Sequence, residues 1–379
     1  MSPLPRARIL ILAPSRPSEG FGGAEQHLAE LAKILSPLAA NVRFISRADA
    51  PSPGLVHRLL GRAVPLLQSP LAVRRLLKSG MPEADVLLSL ELMGVGLRHP
   101  RHLHLFFGSY AGFRAQALQR KVGWRALGQL GIDLLARTLE RRTQGTQGSL
   151  ANSLGLRDCL KAHQIPVRPE VIQPPTDTIA FSPGDKVAAR KELGLPQDKR
   201  LLLFAGRWEF AKGADRMEAI ARQMPPDWHA VIAAPAAASW PWPSAPNITR
   251  LLDFPNNRMA TVYQAADLLV QPSRFEGYSL VVSEAQACGC AVLTSDVGHA
   301  VHFTLSADPI ISGSVISDAD NPNAWIERAR VILPPQALYS SASAASRKYA
   351  EAHVSPQAIR TLWLNLLSSL YPEYEWHPH

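Results

Sequence analysis

Two pairs of charged residues in the second half of this 379-residue chain have the types and spacing to handle a phosphorylated, hydroxyl-rich ligand. Arg207 and Lys212 stand five positions apart, directly after the apolar run Leu201–Ala205. An arginine fork grips phosphate oxygens in pairs and a lysine adds a mobile point charge. Gly206 and Gly213, which flank them, let a backbone approach closely. On these residues alone a solvated surface pair is the commoner explanation of Arg-x4-Lys. The second pair is Glu276 and Glu284, in Phe275-Glu276-Gly277-Tyr278-Ser279-Leu280-Val281-Val282-Ser283-Glu284. Ser279 is a fair N-cap, so helix amides around Tyr278, Ser279 and Leu280 would form an anion site. Glu284 falls about a turn and a half into that helix. A carboxylate at that depth needs solvent or a partner. The vicinal diol of a ribose would serve, and an exposed or capping glutamate fits equally.

Loops of this kind need strands and helices to aim them. In the first half, Arg8–Ala13, Asn41–Ser46, Asp85–Leu90 and Leu103–Phe107 read as short apolar strands, and Ala24–Leu35 repeats its apolar residues at helical spacing. The pattern restarts after the breaker-rich stretch from Gln173-Pro174-Pro175-Thr176-Asp177 to Phe181-Ser182-Pro183-Gly184. There Arg200–Ala205, His229–Ala233, Asn247–Leu252, Leu268–Gln271 and Ala291–Thr294 read as strands. Ala214–Arg222, Met259–Ala266 and Tyr278–Cys288 read as helices, and Ser355–Leu370 as a closing helix. Strands alternating with helices predict parallel sheets with crossover connections. Two such halves joined by a linker predict a ligand in the cleft between the carboxyl ends of their sheets. The expected boundaries are 1–173, 174–354 and a terminal helix in 355–379.

Composition narrows the classes. Apolar content of 46% and charged content of 19% describe a folded chain. The longest apolar runs are too short to span a bilayer. Ile9–Ala13 has strand length and is followed by Pro14-Ser15-Arg16-Pro17 in place of a small-residue cleavage site, so no signal peptide is expected. Cys288-Gly289-Cys290 is too tight for a normal disulfide or a zinc clip, and Cys159 is the remaining cysteine. These features predict a reducing cytoplasm and no structural metal. The net charge of +9 is uneven: residues 1–170 carry 23 Lys+Arg against 11 Asp+Glu, and the remainder 17 against 20. An anionic partner for the first half follows, or simply an Arg-rich solvated surface. DNA binding suits the charge, but no helix-turn-helix, zinc or aromatic nucleic-acid motif accompanies it, so no nucleic-acid partner is expected.

Taken together, Gly206-Arg207 with Lys212-Gly213, Pro272-Ser273 with Glu276-Gly277 and Glu284-Ala285, and Ala287-Cys288-Gly289 before a strand resemble glycosyltransferase family 4. The two glutamates match that family's E-x7-E signature. Gly22-Gly23-Ala24-Glu25 resembles its glycine-rich loop, and Pro174-Pro175-Thr176-Asp177 with Phe181-Ser182-Pro183 resembles its linker, with prolines in place of the usual Asn-Gly. The resemblance is good over Lys199–Gly298 and thin over Ala50–Gly148. It implies the GT-B architecture, an α/β fold of two Rossmann-like parallel-sheet domains facing a central cleft, with the C-terminal helix returning to the N-terminal domain. It implies a nucleotide-diphosphate sugar as donor, a glycan or lipid-linked acceptor, retention at the anomeric carbon, and neither metal nor cofactor. Carried over residue by residue, it gives Arg207 and Lys212 the diphosphate and Glu284 the ribose. Glu276 receives the donor sugar, with Gly277, Tyr278 and Ser279 nearby, and Phe254 the base. Gly22 and Gly23 become a closing loop.

The chain departs from the family at several points. Where many members carry a His-Asp pair, it reads His102-Leu103-His104-Leu105-Phe106-Phe107-Gly108-Ser109, without an aspartate. His104 and Ser109 are the candidates there, a core or surface histidine being the commoner reading of either imidazole. Ala291 replaces a usual proline, and His299 follows Gly298 where a second glycine is common. Both changes bear on donor-sugar fit. Leucines and arginines alternate at helical spacing in Leu55–Leu67, Leu71–Lys78 and Lys121–Arg142. Basic amphipathic helices can lie in the headgroups of an anionic leaflet, or simply face solvent. A transferase of envelope polysaccharide, lipopolysaccharide or glycolipid synthesis, peripheral at the inner membrane face, is the reading these residues favour. A UDP-amino-sugar epimerase of the same architecture would want several carboxylates in the first half, which is poor in them. A catalytically silent nucleotide-sugar-binding partner of another transferase is the third reading.

Overall fold

The computed structural model describes residues 4–16, 23–50, 64–117, 124–333 and 339–377. The chain divides into two compact units, one of Met1–Pro175 with Ile359–His379, the other of Thr176–Ala358.

The described residues of the first unit form five strands, β1 (Arg8–Ala13), β2 (Asn41–Ser46), β3 (Val86–Leu90), β4 (His102–Phe106) and β5 (Ser149–Ala151). They run parallel in the order β2-β1-β3-β4-β5. Strands covered on both faces read as unbroken apolar runs, and β1 is buried from Ile9 to Ala13. Alternate side chains serve opposite layers. Ile9 and Ile11 pack with Leu28, Leu31 and Leu35 of the helix Gly23–Leu35. Leu10 and Leu12 pack with Val73 and Leu76 of the helix Gln68–Ser79.

The second unit holds six strands, β6 (Arg200–Ala205), β7 (Trp228–Ala234), β8 (Ile248–Leu252), β9 (Leu268–Gln271), β10 (Ala291–Ser295) and β11 (Val315–Ile316). Their order is β11-β10-β9-β6-β7-β8, all parallel. This is the doubly wound order in which the chain leaves β6 toward β7 on one side and β9 toward β10 on the other. The crevice outside the carboxyl ends of β6 and β9 is therefore where a ligand is expected. Leu202, Phe204 and Ile232 face a core with Met217, Ile220 and Trp325, while Leu201, Leu203 and Val231 face one with Val262, Tyr263 and Ala285.

The closing helix, Pro356–Leu370, belongs to the first unit from Ile359 onward. Ile359 and Leu367 are fully buried and Trp363 nearly so, in the same core as Ile9, Leu88 and Leu103. The expected two-sheet α/β architecture, with the C-terminal helix on the N-terminal domain, is what the chain adopts. Sequence reading passed over β5 and β11, whose three and two residues are too short for a periodic pattern. Replacing Trp363 by Ala should destabilise the first unit by about 3–5 kcal/mol. Denaturant unfolding should show an earlier first-unit transition and an unmoved second-unit transition.

Candidate functional site

Three loops at the carboxyl edge of the second sheet build the site: those after β6, β9 and β10. The loop after β6 carries Gly206, Arg207 and the short turn Phe210–Lys212, which ends at Gly213 with φ +79°. A Cβ on Gly213 would stand 2.1 Å from the Pro272 carbonyl oxygen, so only glycine lets this loop touch the loop after β9. The contact is then cross-linked. Arg274 donates its amide to Ala211 O (2.9 Å) and its guanidinium to Phe210 O (2.8 Å), and pairs with Asp215 at 2.7 Å. The loop after β10 closes from the third side. Gly298, at φ +59°, would place a Cβ 2.9 Å from the Glu276 Cβ.

Glu276 lies at this junction, 8% exposed. Lys212 Nζ donates to both of its carboxylate oxygens at 2.8 Å, and Ser273 Oγ (2.8 Å) and Gln271 Nε2 (3.1 Å) donate to Oε1. Two residues assigned separately, a phosphate cation and a sugar carboxylate, thus form one ion pair across 64 positions of sequence. Arg207 is the open cation. Its side chain is 63% exposed and meets Glu209 at 3.1 Å. Gly206 ends β6 with its amide on Ala233 O.

Glu284 is buried in the helix Leu280–Ala287, and its partner is Tyr263, whose hydroxyl donates to Oε2 at 2.8 Å. Burial, together with the Glu284 charge, pushes the Tyr263 phenol well above its usual range, so it remains a donor. Ser279 occupies the N-cap position of this helix without a side-chain capping bond, and its amide donates to His299 Nδ1 at 3.3 Å. That amide is therefore already engaged. Gly277 is buried, and Tyr278 and Leu280 are half-buried. Phe254, after β8, packs on the core beneath the Arg258 guanidinium, 5.3 Å from its ring centre.

In the first unit, Gly22 lies outside the described residues, and Gly23 is the first residue of its helix. His104 is fully buried on β4. Its Nδ1 meets Ser89 Oγ at 2.8 Å, and His102 Nε2 meets the same hydroxyl at 2.7 Å. Ser109 caps the helix Tyr110–Ala117: its hydroxyl accepts from the Gly112 amide (3.0 Å) and donates to Glu140 (3.2 Å). Glu140 also accepts from the Tyr110 amide at 2.7 Å, a buried carboxylate on a helix N-terminus. No sequence signal marked Glu140, since the cap it serves lies 30 positions away. Tyr263, Gln271 and Ser273 were missed for the same reason: their partners are remote or their types commonplace. Glu91, directly after β3, was also missed. It has φ +48° and accepts from the Tyr110 hydroxyl at 3.4 Å, and burial raises its carboxyl above the usual range.

A groove of about 710 Å³ lies at the opposite, amino edge of the second sheet, lined by Lys186, Arg190, Asp267 and Cys290 among others. Lys186 and Arg190 there pair with Asp267, at 2.7 and 2.6 Å. Among the described residues, no group of three His, Cys, Asp or Glu side chains could hold a metal ion. No described helix is long and apolar enough to cross a membrane.

Residues 199–333 match the family model described as Glycosyl transferases group 1. The D-inositol 3-phosphate glycosyltransferase of Mycobacteroides abscessus is 34% identical over 144 residues, 35% of this chain and 32% of that protein. Its counterpart in Mycolicibacterium paratuberculosis is 32% identical over 206 residues, 51% of this chain and 45% of that protein. The chain thus spans less than half the length of these relatives. Among solved structures, sucrose-phosphate synthase from Thermosynechococcus elongatus superposes with a TM-score of 0.74 at 18% identity, covering 97% of this chain and 100% of that one. Anabaena HepE in complex with UDP-glucose gives 0.66 at 16% identity, covering 96% and 100%. These structural likenesses establish the fold.

Burial pushes the Glu140 carboxyl from its usual 4.5 up to about 7. The folded state therefore holds this proton more tightly than the unfolded chain. Its contribution is fully present below pH 4.5 and is lost as pH rises through about 7. Stability should fall by up to about 3 kcal/mol over that window. Glu140→Gln should flatten the slope in urea titrations between pH 5 and 8.

Proposed function

For a chain related through its second unit to the nucleotide-sugar-dependent glycosyltransferases of family 4, we propose transfer of a sugar from a nucleotide-diphosphate donor to a glycan or lipid-linked acceptor. The Lys212–Glu276 pair, its carboxylate buried at the switch point of a doubly wound sheet, is the observation that carries this reading. Lys212 has three N–H donors and gives two to Glu276, leaving one for a phosphate oxygen. Arg207, exposed in the same loop, supplies the second cation for the diphosphate and stabilises its charge as it leaves. Glu284 accepts from ribose hydroxyls, oriented by the Tyr263 phenol. Glu276 accepts from a hydroxyl of the transferred sugar. Retention at the anomeric carbon follows the family resemblance.

The expected outcome is that Lys212→Ala and Glu284→Ala each weaken UDP or GDP binding about tenfold or more, while Glu276→Ala mainly lowers turnover. A thermal-shift panel of UDP-, GDP- and ADP-sugars identifies the base, since a ligand of the folded state raises its melting point. Unchanged UDP and GDP affinity in both of the first two variants overturns the assignment.

The epimerase reading gains from one observation. Glu91 and Glu25, the latter accepting from Ser15 at 2.8 Å, follow β3 and β1, the strands that flank the first sheet's own switch point. Release of free nucleoside diphosphate together with sugar transfer decides for the transferase. A product that keeps its nucleotide decides for the epimerase, and binding without turnover for the silent partner.

The setting proposed is the cytoplasmic face of an anionic membrane. Leu77 is 40% exposed beside the exposed Arg74 and Lys78, and Leu134 is 69% exposed near the exposed Ile132, Arg137 and Arg141. Residues 51–63, part of the basic pattern, lie outside the described residues. Apolar side chains among arginines suit a headgroup layer. The protein should float with vesicles containing anionic lipid at low salt and release at high salt. Absence of binding at low salt removes the membrane from this proposal.

A further inference from the structure

His299 stands where the resembled family commonly has a glycine, and its surroundings give the imidazole a task. Gly298 before it has no room for a side chain against Glu276, so the imidazole is the first side chain this loop offers after the glycine. It is 2% exposed and held between two rings, Tyr278 at 4.4 Å and Phe303 at 5.2 Å. Its Nδ1 accepts from the Ser279 amide at 3.3 Å. Burial holds the ring neutral by pushing its titration down to about 3, so with Nδ1 accepting, the proton sits on Nε2. That Nε2–H is buried and has no hydrogen-bond partner. A buried donor left unmatched is costly and rare in a folded protein, and a ligand that accepts from it removes the cost.

Further buried atoms without partners lie at the same edge, among them Gln271 Oε1 at the end of β9 and Ser295 Oγ at the end of β10. The Gln271 amide is oriented by the Glu276 carboxylate and Ser273, which take its Nε2. The set therefore mixes an obligate donor, an obligate acceptor and a hydroxyl. Phosphate oxygens only accept and could not satisfy Gln271 Oε1. Sugar hydroxyls both donate and accept, and can satisfy a group of either kind.

Resting on the transferase reading above, we infer that His299 is a specificity-determining residue that donates through Nε2–H to an oxygen of the donor's glycosyl group. It reads the sugar and not the nucleotide. It also pins the Ser279 amide, three residues beyond Glu276.

The two ring nitrogens can be tested separately. His299→Asn keeps an acceptor near the Nδ1 position and removes the far donor. His299→Gln returns an amide N–H near the Nε2 position, and His299→Gly restores the residue common in the family. Binding of UDP, GDP and ADP is compared with that of UDP-glucose, GDP-mannose and ADP-glucose, by calorimetry on the full chain. The Asn and Gly variants should bind the sugar nucleotide about tenfold more weakly and the matching diphosphate as the parent does, with recovery in the Gln variant. The Asn and Gln variants carry the test should the Gly variant fail to fold. An unchanged sugar-nucleotide affinity in the Asn variant overturns the inference, as does an equal loss of diphosphate affinity, which would mark a purely structural clamp on Ser279. If the parent chain binds none of the six compounds, the transferase reading falls first and this inference with it.

Discussion

A carboxylate withdrawn from water at the meeting of three loops is the constraint around which the second unit is arranged. Four donations reach the Glu276 carboxylate there, two from Lys212 and one each from Ser273 and Gln271. The desolvation of such a pair consumes much of its Coulomb attraction, so it adds little to stability. Its value is positional. Removing either member would strand the other, and that penalty locks the loop after β6 against the loop after β9. The strand order explains why these two loops meet: β6 and β9 are neighbours whose connections leave in opposite directions.

Backbone geometry sets how closely the loops can pack. Gly213 and Gly298 approach Pro272 and Glu276 at distances no side chain would allow, and both adopt positive φ. Polar anchors then fill the remaining valences. Arg274 is spent on Phe210 and Asp215, and Tyr263 on Glu284. The first sheet follows the same rule with different chemistry, since Glu140 sits on the amides that open the helix Tyr110–Ala117. In both units, acids are buried where backbone or cation donors converge.

How far the sequence foretold this depends on the range of the interaction. The buried strands β1, β6 and β9 announce themselves as apolar runs, and the helix Pro356–Leu370 by its spacing, because each pattern is local. The proline-rich stretch around Pro174 and Pro175 lies at the break between the units. Arg207, Lys212, Glu276 and Glu284 could be picked out by type and spacing. That Lys212 pairs with Glu276, or that Ser109 serves a helix cap, could not, for those partners are 64 and 31 positions apart. Tyr263 was invisible as a site residue because a tyrosine at helical spacing is ordinarily core. Its ring is core, and only its hydroxyl touches Glu284.

For the diphosphate site proposed above, charge pairing narrows how an anion would be held. Arg207 meets Glu209, and Lys212 meets Glu276, so each cation of these loops is offset by a neighbouring carboxylate. A diphosphate is therefore not drawn in by a strong net field at this edge. Attraction must come from directed groups: the remaining Lys212 N–H, the exposed Arg207 fork, and the amides that the first turn of a helix leaves outside its ladder. Directed donors act over a bond length, whereas net charge acts over about a Debye length of 8–10 Å. A site of this design separates ligands by where their oxygens lie more than by how much charge they bear. The same logic extends to the proposed sugar site, where Gln271, Ser295 and His299 would present fixed donors and acceptors in place of charge. Selectivity for one sugar over another is then a matter of hydroxyl geometry, which a neutral imidazole held between Tyr278 and Phe303 is rigid enough to enforce.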